Sequence, residues 1–360
     1  MYACSQYSPS ACHPLRMKMA GITRSVGDGM DQHVGAASNG TAPFRLAFMV
    51  PLTAAQQRRV RERFPGVDLM FLADEEREPT LATADGVVAW SLSSAEIDAA
   101  PHLRWMHTGG AGVDARLLAD LSRRDIVVSN NSGVHAPNIG EHVLGMMLVF
   151  ARQLHTLVRH QTRREWHDDD IRDKVFELSG QQLLVVGTGD IGEAVAQRAR
   201  PFGMVITGIR RRTNLAPPDG FDDVLALDDL PRALRVADHV VICLPLTTRT
   251  HRLFDASLIS QCQHGAILYN IGRGEIVDTP ALITALQTGK LAGAGLDVVD
   301  PEPLPAGSPL WDMPNVLITS HTSGGTPKYW DRGLDLVEAN LQALLDGTAL
   351  RNVVDPSQGY

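Results

Sequence analysis

The chain has 360 residues, 44% hydrophobic and 21% charged, with 33 lysine plus arginine against 41 aspartate plus glutamate and a net charge of −8. That balance fits a globular protein of about two domains and excludes a disordered, fibrous or collagen-like chain. It leaves no overall basic field for nucleic acid or an anionic membrane surface, so any anion must be held locally.

In chain order, residues 1–42 are rich in serine, glycine, alanine and methionine without helical or strand period, and read as a disordered extension. The folded chain is expected to begin near Phe44. FRLAFMV reads as a strand, AAQQRRVRERF as a charged helix, and VDLMFL, GVVAW and LRWMHT as short strands bounded by turn residues. After RDIVVSN, the segment NIGEHVLGMMLVFARQLHTLVRHQTRREW keeps apolar residues at helical spacing over residues 139–158 and predicts one long connecting helix. A second alternation runs from QQLLVVGTGDIG through VITGI, DHVVICLPL, GAILYNIG, LAGAGLDVV and NVLITSH. Strand and helix in alternation imply an α/β fold: two doubly wound parallel sheets with helices on both faces and a cleft between them. The expected division is a substrate unit over 43–146, rejoined by 325–360 through the helix DLVEANLQALLDG, and a cofactor unit over 147–324.

The cofactor unit opens with strand, GxGxxG and helix in LLVVGTGDIGEAVAQRAR. Gly187 permits a tight turn, Gly189 lets the backbone approach a pyrophosphate, and Gly192 allows the helix to pack on the strand. Asp190, Ile191 and Gly192 open the helix, whose free N–H groups form an anion site. This is a Rossmann dinucleotide-binding signature. In the NAD form an acidic residue about 20 positions on meets the adenosine ribose. Eighteen residues past Gly192 stands Arg210, followed by Arg211, Arg212 and Thr213. A carboxylate there would repel a 2′-phosphate, whereas an arginine fork holds one bidentately. NADP(H) is therefore expected over NAD(H).

Three polar segments end strands of this unit. YNIGRGEIVD carries Arg273, LDVVDPEPLP carries Glu302, and NVLITSHTSGG carries His321. Arginine binds a substrate carboxylate in two-point fashion, histidine delivers the proton that accompanies hydride, and a carboxylate orients the imidazole. That set suits reduction of a keto acid.

At these residues the chain resembles the D-isomer-specific 2-hydroxyacid dehydrogenases, from Phe44 to its end, and among them the NADP-dependent glyoxylate/hydroxypyruvate reductases. GTGDIG, LPLTTRTHRLF, NIGRGEIVD, LAGAGLDVVDPEPLP and SHTSGG follow the family order, with 29 residues from Arg273 to Glu302 and 19 from Glu302 to His321. Ser320 stands where the family usually has proline. The resemblance implies Arg273 as carboxylate and carbonyl binder, His321 as acid/base and Glu302 as its partner. It implies cofactor contacts from Leu244, Pro245, Thr250, Ile271, Arg273, Asp297 and His321, with Asp297 at the nicotinamide amide. It also implies a flavodoxin-like substrate domain whose loop HTGGAGVD offers Gly110, Ala111 and Gly112 to the carboxylate, a backbone nest in physical terms. Trp90 resembles an aromatic lying over the substrate, and Trp330 is the candidate for the opposite wall, while core packing suits each tryptophan equally well. A homodimer built on the connector helix region is implied as well.

Other motifs are assigned no function. His135, Glu141 and His142 in HAPNIGEH are metal-ligand types, but neighbouring Glu and His on a helix point in different directions. HDDD, residues 167–170, reads as a solvated loop, and no metal is expected. The cysteines Cys4, Cys12, Cys243 and Cys262 form no CxxC pair and fit a reducing cytoplasm. No apolar run reaches the roughly 18 residues of a membrane span. Two readings stand beside the reductase: oxidation of phosphite or another acid on the same site, and a non-catalytic NADP(H)-sensing binding protein on the same scaffold.

Overall fold

A computed structural model describes residues 43–72, 77–166, 169, 171–211 and 216–355. The expected N-terminal extension, Arg212 and Thr213 lie outside the described residues, as does all of the HDDD segment except Asp169.

The smaller sheet holds β1 (Arg45–Phe48), β2 (Asp68–Phe71), β3 (Gly86–Ala89), β4 (Trp105–Thr108) and β5 (Val127–Asn130). Its five parallel strands run in the order β2-β1-β3-β4-β5, the flavodoxin-like arrangement. The larger sheet holds β6 (Gln182–Val186), β7 (Val205–Arg210), β8 (Asp223–Ala226), β9 (His239–Ile242), β10 (Ala266–Asn270), β11 (Leu291–Leu296) and β12 (Val316–Ile318). All seven are parallel, in the order β12-β11-β10-β9-β6-β7-β8. The two parallel-sheet α/β units expected from the alternation are present. β8 has no counterpart among the expected strands: DVLA is four residues long, opens on an exposed aspartate and is otherwise only half-buried at the sheet edge.

β3, β4, β5, β9 and β10 are buried along their whole length, as central strands of a parallel sheet covered on both faces should be. One core over the larger sheet gathers Val186, Val240, Leu268 and Leu296; the other joins Val185, Val241 and Tyr269 to Val143, Met147 and Phe150. Val143, Met147 and Phe150 belong to the helix Ala136–Ala151, which packs so closely on the helix Asp190–Ala199 that a Cβ on Gly140 would come within 2.9 Å of the Ala194 carbonyl oxygen. The last helix, Tyr329–Asp346, returns to the smaller sheet, where Leu334, Val337 and Leu341 pack with Leu46, Phe48 and Trp105.

The single long connector helix is instead two. Ala136–Ala151 ends and Leu154–Arg163 begins across Gln153, which adopts a left-handed backbone with φ of 53°. The Gln153 side-chain amide donates to the Phe150 carbonyl at 2.9 Å and caps the first helix. Apolar spacing continues through the break, so periodicity alone does not reveal it.

Candidate active site

The strand order lays the sequence motifs side by side. Chain order reverses between β9 and β6, so a crevice opens beyond their carboxyl ends. Across the sheet from β12 to β7, the loops after successive strands carry His321, then Glu302, Arg273, Leu244, the glycine turn and Arg210. The histidine and the glutamate thus fall at one end of the row and Arg210 at the other.

Gly187 has φ of 107°, and a Cβ there would lie 2.9 Å from the Cys243 carbonyl oxygen and 3.2 Å from Leu244. A Cβ on Gly192 would overlap the Gly187 carbonyl oxygen, while one on Gly189 would meet nothing within 4 Å. Gly189 is the N-cap of the helix Asp190–Ala199 and supplies no side-chain cap to it. The Asp190 carboxylate turns aside to accept from Ser132 Oγ at 3.2 Å. An open glycine surface before uncapped N–H groups is a cradle that fits a pyrophosphate.

The Gly187 N–H donates to the Ile209 carbonyl at 3.0 Å, which brings the end of β7 against the glycine turn. Arg210 is the last residue of that strand; its Nη2 donates to the Ala216 carbonyl at 3.1 Å, and Arg211 follows it, exposed. On the other side of the turn, the Thr250 hydroxyl donates to the Pro245 carbonyl at 2.7 Å and closes the loop after Leu244. Ile271 is buried beside this loop, its N–H donating to the Ile242 carbonyl at 3.3 Å.

His321 and Glu302 meet directly, with Nδ1 donating to Glu302 Oε2 at 2.9 Å. The other glutamate oxygen accepts from the Val299 N–H at 3.0 Å, so the carboxylate is held by its own loop. Nδ1 is thereby occupied, so a proton passed on by the ring would leave from Nε2. Arg273 is exposed, its Nη1 donating to the Gly272 carbonyl at 2.7 Å. Asp297 is 3% exposed. Its carboxylate accepts from Thr319 Oγ1 at 2.6 Å, from the N–H groups of Thr322 at 3.0 Å and Ser323 at 3.2 Å, and from Ser323 Oγ. Those bonds outweigh burial and hold the carboxyl below the ordinary Asp range. The side chain is thus committed to the turn that carries His321.

On the smaller sheet, Trp90 follows β3 and is 51% exposed. It covers the glycine loop HTGGAGVD: a Cβ on Gly109 would lie 2.8 Å from its ring. Ala111 and Gly112 are exposed, and Gly110 is pinned by Asn131 N–H donating to its carbonyl at 3.0 Å. Trp330 is 9% exposed and packs in the core, where its ring meets Trp90 edge-on with centroids 5.7 Å apart and planes at 68°. Its neighbour Tyr329 stacks face-on against Trp90, with centroids also 5.7 Å apart and planes at 18°. A helix start after proline and lysine leaves the sequence uninformative about which aromatic turns inward.

A buried relay supports this wall. Trp105 Nε1 donates to Ser129 Oγ at 3.0 Å, Ser129 Oγ donates to His107 Nδ1 at 2.8 Å, and His107 Nε2 donates to Asn131 Oδ1 at 2.9 Å. Asn131 Nδ2 then donates to the Gly109 carbonyl and the Tyr329 hydroxyl, both at 3.2 Å. The Tyr329 hydroxyl also donates to the Gly109 carbonyl. Burial lowers the His107 pKa to about 4, so the ring is neutral at pH 7.

The motifs without an assigned role also find their places. Glu141 turns toward Arg198 at 3.5 Å whereas His142 turns to Thr319, and among the described residues no group of three or more metal-ligand side chains converges. Burial pushes the Cys243 thiol up, and the Cys262 thiol up to about 11, which suits inert core cysteines. Among the described residues no helix is long and apolar enough to cross a membrane.

Known proteins share this arrangement. Residues 144–323 match the family model described as D-isomer specific 2-hydroxyacid dehydrogenase, NAD binding domain. Glyoxylate/hydroxypyruvate reductase B of Pectobacterium carotovorum subsp. carotovorum (strain PC1) is 33% identical over 303 residues, covering 82% of this chain and 90% of the reductase. A D-isomer specific 2-hydroxyacid dehydrogenase family protein from Aeromonas salmonicida superposes with a TM-score of 0.73 at 35% identity, over 87% of this chain and 99% of that one. A D-isomer specific 2-hydroxyacid dehydrogenase from Xanthobacter autotrophicus Py2, solved in complex with NADPH and MES, gives 0.73 at 29% identity, over 89% and 100%. With a family model covering half its length and relatives matched over nearly their whole length, the chain belongs to the D-isomer specific 2-hydroxyacid dehydrogenase family.

Proposed function

We propose that the protein is an NADP(H)-linked reductase of small 2-keto acids such as glyoxylate or hydroxypyruvate. The observation that carries this reading is the His321–Glu302 pair, bonded at 2.9 Å beside the turn of Arg273. A nicotinamide cofactor, held by the glycine cradle, would supply the hydride for the reduction. Arg273 binds the substrate carboxylate and polarises the neighbouring carbonyl, assisted by the backbone of Gly110, Ala111 and Gly112. His321 gives its Nε2 proton to the carbonyl oxygen as the carbon is reduced, while Glu302 holds the ring through Nδ1. Trp90 and Tyr329 close the pocket over the substrate and exclude water.

Gly187, Gly189, Asp190, Ile191 and Gly192 would hold the pyrophosphate, Leu244, Pro245, Thr250 and Ile271 would line the dinucleotide, and Arg210 with its following arginines would bind the 2′-phosphate. Support for NADP(H) is the arginine at the end of β7, where a carboxylate would serve NAD, together with the NADPH complex of the Xanthobacter relative. The substrate unit is assigned to 43–146 with 325–360 and the cofactor unit to 147–324. A homodimer is supported by the apolar face of the helix Leu154–Arg163, where Leu154, Leu157 and Val158 are exposed beside a fully exposed Trp166.

The test is NADPH and NADH oxidation against a panel that includes glyoxylate, hydroxypyruvate and pyruvate, with phosphite oxidation in parallel. Turnover of a keto acid with NADPH supports the reading. Tight NADPH binding without turnover of any acid would assign the chain as a cofactor-sensing binding protein, and phosphite turnover alone would reassign the substrate.

A further inference from the structure

HAPNIGEH holds three polar side chains, His135, Asn138 and His142, spaced three and four residues apart along the start of the helix Ala136–Ala151. Such spacing places them in one line along one helix face. All three reach the segment around His321. His135 Nδ1 donates to the Gly324 carbonyl at 2.8 Å, Asn138 Nδ2 donates to the Ser323 carbonyl at 2.6 Å, and His142 Nε2 donates to Thr319 Oγ1 at 3.0 Å. Arg332, from the helix Tyr329–Asp346, donates to Asn138 Oδ1 and to the Val134 carbonyl, both at 3.1 Å. The Asn138 amide is therefore used at both ends, and turning it over would break both bonds.

The segment needs such a holder. His321 has φ of 52°, a left-handed conformation that L-residues other than glycine adopt at a cost of about 1–3 kcal/mol and keep only when their surroundings over-determine it. Its N–H donates to the Asp297 carbonyl at 2.9 Å, and the Asp297 carboxylate collects the next N–H groups of the turn. His142 extends the same chain: it donates to the Thr319 hydroxyl, which donates to Asp297.

We infer that His135, Asn138 and His142 form a clamp of positioning residues that fixes the turn carrying the acid/base histidine, with Thr319 and Asp297 as its inner links. The inference rests on the reading of His321 as proton donor. A misplacement of about 1 Å at a proton donor costs up to about a hundredfold in rate, so releasing the clamp acts on turnover and leaves the phosphate cradle untouched.

The experiment uses the full chain and two readouts. Asn138→Ala, His142→Leu and Thr319→Val are each expected to lower kcat about tenfold or more with NADPH affinity within about twofold of wild type. His142→Gln and Thr319→Ser keep the hydrogen-bonding groups and restore most of the rate. The double variant His142→Leu/Thr319→Val is no slower than Thr319→Val alone, because both substitutions break one chain. Amide hydrogen exchange over residues 319–325 in the ligand-free protein needs no turnover; it should speed up in His142→Leu and stay at the wild-type rate in His142→Gln. Unchanged exchange in Asn138→Ala and His142→Leu, or equal rate losses in His142→Leu and His142→Gln, would overturn the clamp. Altered exchange in a protein with no turnover of any acid would leave the clamp standing and remove the reductase reading.

Discussion

Gly274 is seated against Val299 so closely that a Cβ at position 274 would overlap the Val299 carbonyl. Gly274 follows Arg273, and the Val299 N–H bonds Glu302 at 3.0 Å, so this contact locks the arginine's turn to the glutamate's loop. Gly274→Ala cannot be absorbed by a flexible side chain, because the atoms it would meet are backbone. The expected result is a loss of turnover of about a hundredfold or more with a lowered unfolding temperature. Steady-state kinetics and thermal unfolding of the variant check it; wild-type kcat would show that the two loops are not locked.

His321→Ala removes the group proposed to protonate the carbonyl oxygen. Turnover of the best keto acid is expected to fall by about a hundredfold or more. NADPH affinity, measured by fluorescence titration, should hardly change, since the pyrophosphate cradle lies four strands away across the sheet from β12 to β6. Glu302→Gln keeps an acceptor for Nδ1 but no charge, and a loss of about tenfold is expected. A rate equal to wild type in His321→Ala would remove the histidine from the reaction.

The strand rhythm, the glycine fingerprint and the three polar strand ends were legible because each is a local signal: periodicity, a fixed spacing, a residue type at a turn. The ordering of those strand ends along one crevice follows from right-handed parallel connections, so it too was within reach of the chain alone. What escaped was decided by tertiary contact. Gln153 breaks a helix whose apolar spacing runs on unbroken, and Tyr329 stacks face-on against Trp90 while Trp330 meets it only edge-on, because the tryptophan fills a core beside Leu334 and Trp105. His135, Asn138 and His142 could be seen to share a helix face, but their partners are backbone carbonyls and a hydroxyl about 180 residues away, which no local pattern announces.

Arg210→Asp tests the cofactor assignment. The residue ends β7 beside the glycine turn, so a carboxylate there would repel a 2′-phosphate and accept from a ribose hydroxyl instead. The ratio of kcat/KM for NADPH to that for NADH is expected to fall by about a hundredfold or more, on the basis of two charge-assisted bonds of about 1.5–3 kcal/mol each, partly realised. A ratio that survives the substitution would move the phosphate contact to Arg211 or another of the neighbouring arginines.

Two fully buried histidines make the fold sensitive to acid. His107 lies in the relay beneath the substrate loop, and His239 accepts from the Tyr269 hydroxyl at 3.1 Å and donates to Gln181 Oε1 at 2.6 Å. Burial lowers both pKa values from 6.5 to about 4. Below pH 6.5 the unfolded chain takes up protons that the folded protein refuses, so the unfolded state gains. The stabilisation is fully present above pH 6.5 and is lost as pH falls toward 4, by roughly 3 kcal/mol per histidine at completion. NMR titration should find both rings neutral at pH 5.5. His107→Asn should destabilise the protein at pH 7, where it breaks a satisfied buried network, and by a smaller margin at pH 4.5, where wild type must protonate the ring that the variant lacks. Urea unfolding at the two pH values measures the difference. An equal penalty at both, or an imidazole that titrates near 6.5, would mean that His107 is open to solvent protons in the folded state.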